Sequence, residues 1–197
     1  MRKTKEEAQI TREKIIQASY ELIGEKGYER MTRDDIAARV GMTRGAVNWH
    51  FSSKEEIYLA ALDRILDEFQ SERRACFEDK TARPEEKIER LISMPVKMRE
   101  KYRFINAIPE YMLKDDRFLA VVQRMAENRK QFILHIEECL IEIEKLEGRL
   151  YDGRRERAHL LYFLHEGLHA NYADSAFESR EEIQNRYKDY LSFLLKL

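Results

Sequence analysis

An all-α fold is what this 197-residue chain predicts, on three observations. Apolar residues recur at helical spacing in nearly every segment, which is the pattern of amphipathic helices. No alternating apolar and polar run is long enough for a strand. Chain breakers are scarce, with 7 Gly and 3 Pro, while charged residues make up 37% and hydrophobic residues 43%. Such a composition puts charge on the outer faces of helices and leaves enough apolar residues for a core.

The elements follow in order. Ile15, Ile16, Ser19, Leu22 and Ile23 form one face of a first helix that Gly27 closes. Thr32 followed by Asp35 is a capping-box variant, predicting a short helix from Asp34 to Arg39. Gly41 supplies the positive φ of a tight turn. Thr43 then caps a second short helix, Arg44 to His50, and Ser53 with Glu56 starts a longer one carrying Tyr58, Ala61, Leu62, Ile65 and Phe69. After a linker at Thr81–Pro84, Pro84 suits the first turn of a new helix. Pro95 and Pro109 should kink or end the helices around them. The stripe Phe118, Val121, Val122, Met125, Phe132, Ile136, Leu140 and Ile143 marks a long helix ending near Gly148. Residues 154–173 are apolar on most faces and read as a buried helix. Ile183, Tyr187, Tyr190, Leu191, Leu194 and Leu195 define the last helix, with more apolar surface than its own anchoring needs.

Charge and motif single out the first 55 residues as a head. The whole chain carries a net charge of −1, but residues 1–54 hold 11 Lys/Arg against 8 Asp/Glu, and the remainder is acidic. Two short helices joined by a glycine turn behind a supporting helix outline a helix-turn-helix that docks on duplex DNA. Gly45 and Ala46 let the second helix approach a groove wall closely. Arg44 and Asn48 lie four apart on one face, and their side chains suit guanine and adenine edges respectively. Val47 and Phe51 point the other way, into the head.

The run Gly41-Met42-Thr43-Arg44-Gly45-Ala46-Val47-Asn48-Trp49-His50-Phe51-Ser52-Ser53-Lys54 resembles the recognition helix and its exit in TetR-family repressors, in particular the multidrug-efflux branch. Gly27-Tyr28-Glu29-Arg30-Met31-Thr32 and Asp35-Ile36-Ala37 fit the same pattern. The resemblance implies a nine-helix fold, with a DNA-binding domain over 1–55 and a ligand-binding and dimerisation domain over 56–197. It also implies a homodimer formed through the last two helices. Thr43, Arg44 and Gly45 would sit at the groove with Asn48 and Trp49 beside them. His50 and Lys54 would hold phosphates, and Thr32 would anchor the preceding helix on the backbone. Asn48 departs from the tyrosine usual in the family, so the operator is expected to differ from those of close relatives.

In the body, Phe104, Tyr111, Phe132, Tyr162, Phe163 and Tyr172 are the aromatics placed to line a cavity between helices. Glu110 and Glu166 stand in apolar surroundings, where a carboxylate suits a cationic group on a ligand. The expected effector is a small hydrophobic molecule, apolar or amphipathic, aromatic and of a kind that can be cationic, since the body shows no clustered Arg for an anionic one.

His165-Glu166-Gly167-Leu168-His169 matches H-E-x-x-H, which on a helix places two imidazoles on one face for zinc. A catalytic zinc needs a third protein ligand and an open position. Asp174 and Glu178 are the candidates downstream, and neither fits a known spacing. A zinc-dependent hydrolase or a metal-sensing regulator therefore stands as the alternative. The expectation is no metal, no cofactor and no enzymatic role, with His165 and His169 in a pocket wall or dimer seam. The charged N-terminus offers no signal peptide. Nothing approaches the roughly 20 apolar residues of a membrane span. Cys76 and Cys139 match no metal spacing, so a reducing cytoplasm is the expected location.

Overall fold

The computed structural model describes residues 4–98, 101, 104–105, 108, 111–148, 150, 152–174 and 180–196. Among these residues there are nine α-helices and no strand. They are α1 (Lys5–Lys26), α2 (Arg33–Arg39), α3 (Arg44–His50), α4 (Lys54–Glu78), α5 (Pro84–Ile92), α6 (Met94–Lys97), α7 (Asp116–Glu147), α8 (Arg154–Asp174) and α9 (Arg180–Lys196). A 3-10 turn at Met112–Lys114 precedes α7. No helix among the described residues is long and apolar enough to cross a membrane.

Helix ends obey local chemistry. Thr4 caps α1 reciprocally with Glu7, and Gly27 closes it at φ 82°. Gly41 turns between α2 and α3 at φ 67°, in the left-handed region where a side chain is strained. Pro84 opens α5, where its missing N–H is no loss. Pro95 sits in the first turn of α6, so the break it makes falls at Ser93. Pro109 lies outside the described residues. Gly148, at φ 63°, follows the last turn of α7.

Two compact units form, one from residues 1–68 with 103–123, the other from 69–102 with 124–197. In the first, Ile15, Ile36, Val47, Phe51, Ile57, Tyr58 and Leu62 are buried, joined by Phe104, Met112 and Phe118 from far along the sequence. Tyr58 is its polar pivot. Its ring packs on Tyr28, Phe104 and Phe118, and its hydroxyl donates to the Phe104 carbonyl at 3.0 Å.

The second unit is cored by Ile88, Leu91 and Ile92 of α5, Phe132, Ile136, Leu140 and Ile143 of α7, Ala158, Leu161 and Leu168 of α8, and Leu191 of α9. Buried Glu144 pairs with Arg154 across the α7–α8 turn, and Arg157 donates to the Leu194 carbonyl at 3.2 Å. The α8 helix is not buried all round, as its composition suggested. Ala158, Leu161, His165 and Leu168 face inward, while Leu160 and Phe163 face solvent. The last helix divides likewise, with Leu191 inward and Tyr190 and Phe193 outward. The side chains of Ile183, Tyr187 and Leu195 lie outside the described residues.

Two stability predictions follow from these contacts. Tyr58→Phe keeps the ring and leaves the buried Phe104 carbonyl without its donor, a loss of about 1–2 kcal/mol that denaturant unfolding reads directly. In the second unit, burial and then the nearby Arg73 guanidinium hold the His135 imidazole down at about 4. The unfolded chain takes up that proton near the ordinary value of 6.5. The unfolded state therefore binds more protons between those two values, and stability must fall as pH drops from about 6.5 to about 4. A His135→Gln variant should show a shallower pH slope across that window in thermal melts.

Candidate nucleic-acid interface

The first three helices hold one another through side chains at their ends. Thr32 Oγ1 accepts from the Asp35 N–H at 3.1 Å, and Asp35 accepts in return from the Thr32 N–H at 2.8 Å. Lys26 reaches the same carboxylate at 2.6 Å. The Lys26 ammonium and then Thr32 hold Asp35 at about 2, so it stays ionised at physiological pH. Arg39 of α2 forks onto Glu25 and touches Glu21 of α1. Arg33 donates to the Ser52 carbonyl at 3.0 Å, fastening the start of α2 to the exit of α3. Around the Gly41 turn, the Met42 N–H donates to the Ala37 carbonyl at 2.8 Å.

Helix α3 buries one face and presents the other. Val47 and Phe51 are fully buried, with the Arg12 guanidinium over the Phe51 ring at 4.6 Å. Thr43 caps the helix, its hydroxyl accepting from the Ala46 N–H at 3.2 Å. Outward stand Arg44, Gly45, Asn48 and Trp49, all exposed, Trp49 to 72%. A Cβ built on Gly45 meets only the Thr43 hydroxyl, at 3.8 Å, so this part of the helix surface is open. His50 stands edge-on to the Trp49 ring at 4.6 Å. Polar, aromatic and backbone groups thus share one seven-residue surface of a size that fits a major groove.

Sequence reasoning missed two contacts of this surface. The Arg44 guanidinium donates to Asp34 of α2 at 3.0 Å, and both side chains are more than half exposed. Lys54 does not simply extend into solvent. Its ammonium lies 4.0 Å from the centre of the Tyr28 ring and donates to the Tyr28 carbonyl at 3.0 Å. The signal for that role was Tyr28 closing the turn after Gly27, but only the fold brings it beside Lys54.

The candidate ligand residues separate into groups. Phe104 is buried in the first unit against Tyr20 and Tyr58. Tyr111 is exposed in the same unit, donating to Glu29 at 3.2 Å. In the second unit Phe132, Tyr162 and His165 form one ring cluster, with Phe132 to His165 at 4.5 Å and Phe132 to Tyr162 at 5.8 Å. The buried His165 places its Nδ1 3.2 Å from the Ile92 carbonyl, so that ring nitrogen carries the proton. Glu166 is exposed and accepts from the Tyr162 hydroxyl at 2.8 Å; burial and then this bond raise the tyrosine pKa. Phe163 is 63% exposed. Glu110 lies outside the described residues, as do the side chains of His169 and Tyr172. Among the described residues no three His, Cys, Asp or Glu side chains cluster to hold a metal.

Comparison with known proteins centres on this same head. Residues 15–61 match the family model described as bacterial regulatory proteins, tetR family. The transcriptional regulator TtgR of Pseudomonas putida is 48% identical over 65 residues, covering 33% of this chain and 31% of that protein. The transcriptional repressor BepR of Brucella suis is 41% identical over 64 residues, covering 32% and 31%. These matches thus span about a third of the length of the curated relatives. A TetR/AcrR-family regulator of known structure from Thermobifida fusca superposes with a TM-score of 0.67 at 21% identity, over 94% of this chain and 96% of that one. The last likeness establishes the fold across both units.

The surface makes a specific demand on Arg44. Arg44→Ala should weaken binding to the preferred duplex by about 1–3 kcal/mol and relax preference at one base pair per half-site, as read in a competition assay over single-base variants. Loss of affinity without loss of preference would make Arg44 a phosphate contact instead.

Proposed function

We propose that this chain, whose residues 15–61 match the family model of tetR-family bacterial regulatory proteins, is a transcriptional repressor of that family whose hold on DNA is released by a small hydrophobic effector. The single observation that carries this reading is the exposed face of α3, where Arg44, Asn48 and Trp49 stand over a buried Val47–Phe51 base. Residues 1–55 act as the DNA-binding domain and residues 56–197 as the effector-binding and dimerisation domain. The target is a palindromic double-stranded operator, since a two-fold dimer presents two copies of α3 to half-sites one helical turn, roughly 34–36 Å, apart. The cytoplasm is the proposed location, a reading supported by a DNA target and by similarity to bacterial regulators. Multidrug-efflux genes are the favoured targets, because residues 41–54 resemble the recognition helix of that branch of the family.

The homodimer is proposed to form through α8 and α9. Support comes from the apolar side chains these helices leave outward, Leu160 and Phe163 on α8, Tyr190 and Phe193 on α9. Exposed apolar side chains on successive helices are the mark of a surface that another chain covers. Leu191 packs inward, so a charge there tests folding and a charge at Phe163 or Phe193 tests assembly. Effector release works by population shift, the ligand favouring a state whose two α3 helices are wrongly spaced for the operator.

The experiment is selection of the full-length protein on a random duplex pool, with sedimentation of the same sample. Selected duplexes should be palindromes bound by a dimer, and Phe163→Glu with Phe193→Glu should give folded monomers with much weaker operator binding. A monomer selecting unrelated single sites would contradict the proposal.

A further inference from the structure

A buried polar seam runs between α4 and α7 in the second unit. Gln70 donates to Asn128 Oδ1 at 2.8 Å. Arg73, only 8% exposed, donates to the same oxygen at 3.4 Å and to the Asn128 carbonyl at 3.1 Å. With its oxygen doubly occupied, the Asn128 amide must turn its Nδ2 donor elsewhere. That nitrogen is buried and has no hydrogen-bond partner. Two turns along α7, His135 Nδ1 is buried and likewise without a partner, its ring stacked on Phe77 at 4.2 Å. A buried polar atom left unsatisfied costs the folded state, so native structures supply a partner from water or a ligand.

Asn128, Phe132 and His135 stand at i, i+4 and i+7, on one face of α7. Between the two polar residues, Phe132 joins the ring cluster with Tyr162 and His165. Two buried cations stand near this face. Besides Arg73, buried Lys87 holds its ammonium 5.6 Å from the centre of the Phe77 ring. Glu166, the acid suited to a cationic ligand, is exposed and engaged by Tyr162.

We propose that the α4–α7 seam binds the carboxylate of an aromatic or aliphatic acid, its oxygens taking the Asn128 Nδ2 donor beside Arg73 and His135, its apolar body lying against Phe132 and the rings around it. This rests on the effector reading above and narrows that effector to an amphipathic anion. The imidazole is neutral at physiological pH and serves as a hydrogen-bonding group, so no proton need be taken up on binding. An acid of this kind gives the Asn128 donor a partner and adds a charge-assisted bond that neutral or cationic molecules of the same shape lack.

The test uses full-length protein and four probes: salicylate, octanoate, benzyl alcohol and benzyltrimethylammonium. Calorimetric titration and thermal shift should show one or both carboxylates binding at least about tenfold more tightly than the alcohol and the cation. Preference for salicylate over octanoate, or the reverse, identifies the aromatic or the aliphatic source. Asn128→Asp keeps the oxygen that Gln70 and Arg73 use and removes the Nδ2 donor, so it should fold and lose about tenfold or more in carboxylate affinity. The His135 ring signals should shift on carboxylate addition in the parent protein. Stronger binding of the cation, no carboxylate binding at millimolar concentration, or unchanged affinity in Asn128→Asp would overturn the site. Binding of the selected duplex is measured separately. Carboxylate binding that leaves DNA affinity unchanged keeps the site and refutes its effector role. Failure of the ligand-free protein to bind any duplex refutes the repressor reading alone.

Discussion

Seven residues are too few for a helix to persist in water without tertiary support. Everything that α3 can present to a partner therefore depends on the burial of Val47 and Phe51. Those two side chains are withdrawn from solvent where α3 packs on α1 and α2, and Arg12 covers the Phe51 ring. The outward residues gain fixed positions only because the inward ones are locked. Caps do the rest of the local work. Thr32 and Asp35 start α2, Thr43 starts α3, and Gly41 reverses the chain between them at an angle few other residues accept.

Electrostatics then tune this surface. An exposed ion pair such as Arg44 with Asp34 is worth little, because solvent screens it and two long side chains lose freedom. That weakness suits a DNA contact, since Asp34 can surrender the guanidinium to a base or phosphate at small cost. The Lys26–Asp35 and Arg39–Glu25 pairs join α1 to α2 and brace the first two helices. Lys54 belongs with this bracing. Its bonds to the Tyr28 ring and carbonyl pin the α1–α2 turn against the start of α4.

What the sequence made legible was whatever is decided within a few residues. The Thr32–Asp35 box, the Gly41 turn, the Thr43 cap and the inward Val47–Phe51 pair were all readable, because cap geometry and helical period are local. What stayed illegible depends on residues distant in the chain. Phe104, Met112 and Phe118 enter the core of the first unit, which no helical period could announce from so far along the chain. Phe104, read as pocket lining, is a core residue there, since Tyr58 requires its carbonyl. On α8, an apolar composition predicts burial, yet Leu160 and Phe163 face out. Composition counts apolar residues without saying which chain covers them. The orphaned Asn128 and His135 atoms were equally unreadable, because satisfaction of a polar group is a property of three-dimensional neighbours.

The central claim is that α3 reads bases in the major groove of a two-fold site. Methylation interference on the duplex flanking the protein's own gene tests it most directly, because N7 of guanine lies in that groove and nowhere else. Interference is expected at guanines in two symmetry-related clusters about one helical turn apart, with one position per cluster becoming indifferent in Arg44→Ala. Interference from backbone modification alone, with none at any guanine N7, would contradict it.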